Sequence, residues 1–322
     1  MVSPGPEPAG VLVVDKPAGP TSHDVVDDVR RVLGIRRVGH TGTLDPFATG
    51  VLPVCVGRAT RLVRFLSDGS KTYRATVRLG FATTTDDATG QPLGPARPAA
   101  IDAGRLARAL ERLTGALEQV PPVYSAKRIA GERAYTLARR GGAVAPRAVR
   151  VVVARLTLLS AGADRLELEV ECSPGTYVRA LARDLGQDLG VGGHLEQLRR
   201  TRSGPFTLAQ AVPLASIEAM HGWLDMSELL TEMPAVRVGS EGAAALAHGR
   251  ELRPSHVSQG FPRQPDARYR VLGEDGALLA LAVPRGFDLG PGRAEPSLHP
   301  DVVLVEPPAP GPADVTARAG LE

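Results

Sequence analysis

Lysine is almost missing from this chain of 322 residues: of 38 basic residues, only Lys16, Lys71 and Lys127 are lysine. Arginine and lysine are not interchangeable at a tight site, so a chain this biased toward arginine is expected to keep lysine where a compact point charge is needed. Cysteine is equally scarce. Cys55 and Cys172 have no second cysteine or histidine at metal-ligand spacing, which argues against a zinc site and leaves two buried thiols. The chain has no G-x-x-x-x-G-K-S/T phosphate loop, no G-x-G-x-x-G after a strand and no H-E-x-x-H. The commonest nucleotide and metal chemistries are thereby removed, and an enzyme with this sequence is expected to work with its own side chains. No apolar run approaches the roughly 18 residues that span a bilayer. The stretch from Met1 to Pro8 lacks the basic flank and apolar centre of a signal peptide, so the expected location is the cytoplasm, away from membranes.

The composition, 43% hydrophobic and 23% charged, is that of an ordinary globular protein. The length suits one large domain and one small one. Residues 1–230 carry 29 Lys and Arg against 23 Asp and Glu, whereas 231–322 carry 9 against 12. The basic first part suits a polyanionic partner such as RNA, and the acidic remainder does not look built to grip phosphates.

Val11 to Val14 reads as a short buried strand ending in the turn Asp15-Lys16-Pro17. Thr21-Ser22-His23-Asp24 has the form of a capping box. It opens a helix with Val25, Val26, Val29, Val32 and Leu33 on one face, stopped by Gly34. A strand over 51–56 and a basic helix from about Arg58 to Leu66 follow. Lys71 to Leu79 alternates, placing Tyr73, Ala75, Val77 and Leu79 on one inward face. Leu106, Ala109, Leu110 and Leu113 mark an amphipathic helix, and residues 119–147, basic and broken by Pro and Gly, read as a flap that binds RNA. Strands over 151–159 and 165–172 look antiparallel, and a helix opens near Tyr177. Beyond Glu232, short strands around 236–238, 269–272, 278–282 and 302–305 suggest a small β-rich module. Strands mixed with helices, without regular alternation, favour an α+β fold with a mixed, mainly antiparallel sheet. The expected division is a leader over 1–8, a first domain over 9–230, a second over 231–306 and a disordered tail over 307–322.

The most informative stretch is His40-Thr41-Gly42-Thr43-Leu44-Asp45-Pro46-Phe47-Ala48-Thr49-Gly50. Glycines at 42 and 50 allow backbone angles that a side chain would forbid, and Pro46 fixes the torsion after the acid. On spacing alone, Asp45 is either a turn residue bonding its own backbone or a reactive carboxylate held in place.

Five separate segments, in order, resemble the bacterial tRNA pseudouridine-55 synthase family, often called TruB. They are Gly10 to Pro17 with Thr21-Ser22, Gly39 to Pro46, Lys71-Thr72-Tyr73, Pro121 to Lys127 with Ala134-Tyr135, and Gly175 to Arg179 with Asp184-Leu185-Gly186. The resemblance spans roughly residues 9–215. It implies a pseudouridine synthase fold and an enzyme that isomerises uridine 55 in the T loop of tRNA by flipping the base out, detaching uracil at N1 and rejoining it through C5, with no cofactor. It carries the family's catalytic Asp onto Asp45, its stacking Tyr onto Tyr73, its second tyrosine onto Tyr177 and the arginine partner of the nucleophile onto Arg179. His40 takes the place of the residue that contacts the flipped loop. Leu198, Lys16 and Lys127 join His40 and Tyr177 as expected substrate or RNA contacts, although Lys16 could equally bond a carbonyl in its turn. An adjacent guanidinium is expected to lower the pKa of Asp45 while aiming its oxygens. The module over 231–306 resembles PUA-type RNA-binding domains. The implied partner is the T-stem loop of tRNA, bound by a monomer, with no protein partner.

Two rival classes stand beside this reading. A non-catalytic RNA-binding or tRNA-folding protein would keep the fold without the chemistry, against which the complete Asp45, Tyr73 and Arg179 set argues. A glycosidase-like hydrolase would need two carboxylates flanking the bond, and the sequence offers no obvious second one.

Overall fold

The computed structural model describes residues 7–99, 102–124, 128–129, 132–133, 147–219, 222–262, 267–286 and 296–305. Most of the expected 119–147 flap, including Lys127, lies outside the described residues, as do residues 1–6 of the leader and the tail over 307–322. The chain folds as two compact units, one of residues 12–54 and 66–222, the other of residues 1–11, 55–65 and 223–322.

The first unit is α+β, as expected. Its strands are β1 (Gly10–Lys16), β2 (Val38–His40), β3 (Thr49–Val56), β4 (Lys71–Leu79), β5 (Gly115–Gln119), β6 (Arg128–Ile129), β7 (Glu132–Arg133), β8 (Val149–Ala161), β9 (Arg165–Cys172), β10 (Gly193–Ser203), β11 (Phe206–Thr207) and β12 (Val212–Pro213). The main sheet runs in the order β12-β1-β3-β10-β4-β9-β8-β5. β1 pairs with β12 and β3 with β10 in parallel, whereas β10, β4, β9, β8 and β5 form an antiparallel run. This is the mixed, mainly antiparallel sheet that the sequence pattern suggests. Among the described residues, β6 and β7 pair with each other alone.

Local sequence explains the helices that frame the site. In α1 (Ser22–Leu33) Thr21 and Asp24 close a reciprocal capping box, Val25, Val26 and Val29 are buried, and Gly34 ends the helix in the left-handed region. α2 (Val63–Leu66) is a single turn continuing a 3-10 turn over Gly57–Leu62, so the expected 58–66 helix is largely not α-helical. α3 (Ala103–Arg112) is capped by Asp102 and buries Leu106, Ala109 and Leu110. α4 (Val178–Asp188) buries Val178, Leu181 and Leu185 and packs mainly on β10. Tyr73, Ala75, Val77 and Leu79 are buried along β4, while Arg74 is exposed between them.

The second unit holds β13 (Trp223–Asp225), β14 (Ala235–Val238), α5 (Ser240–Ala247), β15 (Val257–Gln259), β16 (Tyr269–Leu272), β17 (Leu278–Arg285) and β18 (Ser297–Val303). Its sheet order is β15-β14-β16-β17-β18, around a core that includes Val236, Leu246, Leu252 and Val271. The turns over 57–65 belong to this unit and are held in it by arginine. Arg58 and Arg61 donate to the carbonyls of Leu304 and Val303, and Arg64 pairs with Asp301 at 2.8 Å. Among the described residues, no helix is long and apolar enough to cross a membrane.

Candidate active site

Asp45 sits in the loop between β2 and β3, and buried polar groups hold that loop from several sides. The Ser22 hydroxyl accepts from the Leu44 N–H at 2.8 Å and donates to the Leu44 carbonyl at 3.1 Å. The Lys16 ammonium is wholly buried and donates to the carbonyls of Pro17, Pro46 and Ala48 at 2.8, 3.1 and 2.8 Å. The Arg200 guanidinium, also buried, donates to the carbonyls of Val51, Gly42 and Thr43 at 2.7, 3.0 and 3.4 Å. Buried carbonyls need donors, and here two cations supply them to the chain on both sides of the acid. Lys16 is expected to touch RNA, but the structure turns its ammonium inward onto the loop. Burial lowers its pKa to about 8, with the charge of Asp45 opposing the fall.

Of the two loop glycines, only Gly50 has a backbone that excludes other residues. Its φ is +103°, and an added Cβ would lie 2.1 Å from the Arg200 carbonyl oxygen across the β3–β10 pair. Gly42 lies outside the left-handed region, and a Cβ there would meet Arg200 Nη1 at 3.5 Å, an ordinary contact. The expectation that both glycines are conformationally required therefore holds for Gly50 alone.

Arg179, near the start of α4, faces Asp45. Its Nη2 donates to Asp45 Oδ1 at 3.1 Å, and its Nε stands 3.0 Å from Oδ2, close enough for charge pairing although that N–H is not aimed along a hydrogen bond. The guanidinium is fixed from behind by the carbonyls of Thr85 and Tyr124, at 3.2 and 3.0 Å, and by Asp87, whose Oδ2 lies 3.4 Å from Nη1. The Asp45 side chain is 34% exposed, whereas those of Arg179 and Asp87 are 7% and 5% exposed, so only Asp45 is open to a reactant.

Burial, aided by the like charge of Asp87, pushes the Asp45 pKa above the ordinary carboxylate value. Arg179 opposes this without reversing it, so the expected net lowering is corrected to a rise.

Asp45, Tyr73, Tyr177, Arg179 and Leu198 line one cavity of about 360 Å³, together with Arg200. Tyr73 comes from β4, Leu198 from β10, and Tyr177 is the residue at which α4 begins. No side chain caps that helix start. Instead the buried Gln119 amide accepts from the Tyr177 N–H at 2.8 Å and donates to its carbonyl at 3.1 Å. His40 is not among the residues that line the cavity. Its Nδ1 accepts from the Gly42 N–H at 3.3 Å, and burial lowers its pKa, so the ring is neutral with its proton on Nε2. Lys71 does line the cavity and is buried, donating to the carbonyls of Ser67 and Gly69.

Asp87, Gln119 and Arg200 have no counterpart among the residues expected from sequence. Asp87 is the second carboxylate that the sequence did not reveal, but it is buried behind Arg179. Its Oδ1 accepts from the Thr85 hydroxyl and from the Thr89 hydroxyl and N–H at 2.7, 2.6 and 2.9 Å. Enclosed in this way, it cannot flank a scissile bond as a hydrolase would require.

The chain matches two family models. "TruB family pseudouridylate synthase (N terminal domain)" covers residues 30–178, and "tRNA pseudouridylate synthase B C-terminal domain" covers residues 179–233. A tRNA pseudouridine synthase B from Thermobifida fusca is 47% identical over 85% of this chain and 94% of its own length. One from a Mycobacterium strain is 44% identical over 92% and 96%. Among solved structures, a chain of a Cbf5-Nop10-Gar1 complex is 26% identical, with a TM-score of 0.69 over 92% of this chain and 85% of that one. A chain of an H/ACA RNP bound to a substrate RNA containing 2'-deoxyuridine is 23% identical, with the same TM-score, and shares the fold. These matches place the chain among the pseudouridylate synthases, enzymes that isomerise uridine. Within that class it belongs to the TruB family.

Proposed function

We propose that the protein converts uridine 55 in the T loop of tRNA to pseudouridine, with Asp45 as the nucleophile. The observation that carries this reading is the Asp45–Arg179 pair, open on one side to a cavity with an aromatic residue on each of two different elements. A duplexed or stacked base cannot reach a carboxylate at the bottom of such a cavity, so the nucleotide must leave its stack. Tyr73 and Tyr177 offer faces that offset the few kcal/mol that unstacking costs. Arg179 holds Oδ1 by a hydrogen bond, pairs with Oδ2 by charge, and favours the charged form against burial. Leu198 covers the reacting sugar against water, which would otherwise compete for the detached uracil's place. His40, neutral and just outside the cavity, is suited to occupy the space that the flipped base vacates. We place this reaction in the cytoplasm, on a monomer that binds the T-stem loop.

Pseudouridine formation releases the C5 hydrogen of the target uridine. The test is a T-arm stem-loop tritiated at C5 of uridine 55 alone, incubated with the purified protein. Release from this RNA, but not from one labelled only at another loop uridine, is the expected result. Release from the other uridine alone would contradict the assigned position, and no release from either would contradict the reaction.

A further inference from the structure

Arg200 stands where three parts of the site meet. In β10 it lies directly opposite Tyr73 of β4 on one side and Gly50 of β3 on the other, so its backbone joins the strand of the stacking tyrosine to the exit of the Asp45 loop. Its side chain repeats that connection. Three carbonyls of the loop, those of Gly42, Thr43 and Val51, receive its N–H groups, and it lines the cavity beside Tyr73 and Asp45. Burial raises the pKa of the Tyr73 phenol, and the charge of Arg200 opposes that rise. Among the described residues, no carboxylate lies within ion-pair distance of its guanidinium, so the dipoles of three loop carbonyls are what hold this buried cation. A buried charge left without a carboxylate is costly, and here its geometry serves the two groups on either side of the bound base.

We infer that Arg200 is a positioning residue for the reaction, setting the Tyr73 ring and the Asp45 loop at a fixed separation so that the flipped base fits between them. This rests on the proposed roles of Asp45 and Tyr73. A rigid planar fork aims its N–H groups at carbonyls before and after Asp45 while lying beside Tyr73 in the cavity, a geometry that the compact ammonium of a lysine does not reproduce. Loss of the fork should therefore disturb the reacting geometry more than the grip on RNA, which is spread over a larger surface.

The test is a double-mutant cycle of Arg200→Lys with Tyr73→Phe, read by single-turnover tritium release and by affinity for the T-arm RNA. Arg200→Gln is carried in parallel as a second variant in case lysine does not fold. The expected loss in rate for the Arg200 variant is on the order of 100-fold, the scale of an ångström-sized misplacement, with RNA affinity nearly unchanged. In the Tyr73→Phe background the same change should cost far less, because the phenol hydroxyl on which Arg200 acts is already gone. A variant with wild-type rate would overturn the inference. So would losses that multiply to within about twofold of independence, since residues acting separately add in free energy. Failure of both variants to fold would overturn it too, leaving Arg200 a role in folding alone. Absence of release by the wild-type protein would count against the proposed reaction and not against Arg200, so the two failures are distinguishable.

Discussion

Asp87 reaches the same guanidinium that pairs with Asp45: Arg179 presents Nε and Nη2 to Asp45, at 3.0 and 3.1 Å, and Nη1 to Asp87, at 3.4 Å. The two acids thus share one cation, and the buried one affects both the orientation and the protonation of the open one. The like charge of Asp87 adds to the burial that raises the Asp45 pKa. Asp87→Asn should therefore move the acid limb of the rate profile to lower pH, because Asp45 then gives up its proton more readily. The plateau rate should fall as Arg179 loses a fixed contact. A pH–rate profile of tritium release from pH 4 to 8 checks both, and an acid limb displaced upward would contradict the electrostatic account.

Lys16 predicts a change at the other end of the pH range. Its ammonium needs three protons for three carbonyls, and its pKa is lowered to about 8. Above that pH the amine has one donor too few, so activity should decline as the Asp45 loop loosens. Stability should not fall on this group's account. The folded protein releases this proton at a lower pH than the unfolded chain, so across that window the unfolded state binds more protons and the contribution of Lys16 to stability rises with pH. Rates and melting temperatures measured together from pH 7 to 9.5 separate the two effects.

The loop glycines should respond differently to alanine. At Gly50 the left-handed backbone and the 2.1 Å approach to the Arg200 carbonyl predict a loss of at least 1–3 kcal/mol, about the cost of such strain before the clash is added. At Gly42 the change should stay within roughly 0.5 kcal/mol. Urea unfolding of the two variants tests the contrast.

Gln119 is predicted to matter through Tyr177. Gln119→Leu leaves the Tyr177 N–H and carbonyl without their side-chain partner at the start of α4, at a cost of about 1–3 kcal/mol. The tyrosine ring should lose its fixed place in the cavity, with a lower rate at saturating RNA. Chemical denaturation and single-turnover kinetics check the two parts separately.

Much of the frame was legible in the sequence because the periodicities are clean. The alternation from Lys71 to Leu79, the capping box at Thr21 and the apolar face of α4 each define one element, and the structure has all three. β10 was not legible. It lies between β3 and β4, yet its sequence carries Glu196, Arg199, Arg200 and Arg202, which interrupt any apolar alternation. They are tolerated there because each has a specific partner. Arg199 pairs with Asp15, Arg202 with Glu171 and Glu196 with Arg165, while Arg200 donates to loop carbonyls. The site divides in the same way. Asp45, Tyr73, Tyr177, Arg179 and Leu198 were anticipated and converge on one cavity. Asp87, Gln119 and Arg200 were not, since each acts on a residue distant in sequence and none falls in a motif that singles it out.

Asp45→Asn separates a nucleophilic Asp45 from a merely structural one, because the amide keeps the shape and removes the charge. Wild-type and variant protein are compared on the T-arm RNA tritiated at C5 of uridine 55, with RNA affinity and melting temperature measured on the same samples. Release by the wild type and none by the variant is expected, with the variant folded and still binding the RNA. Release by a folded Asp45→Asn protein at the wild-type rate would contradict a nucleophilic Asp45.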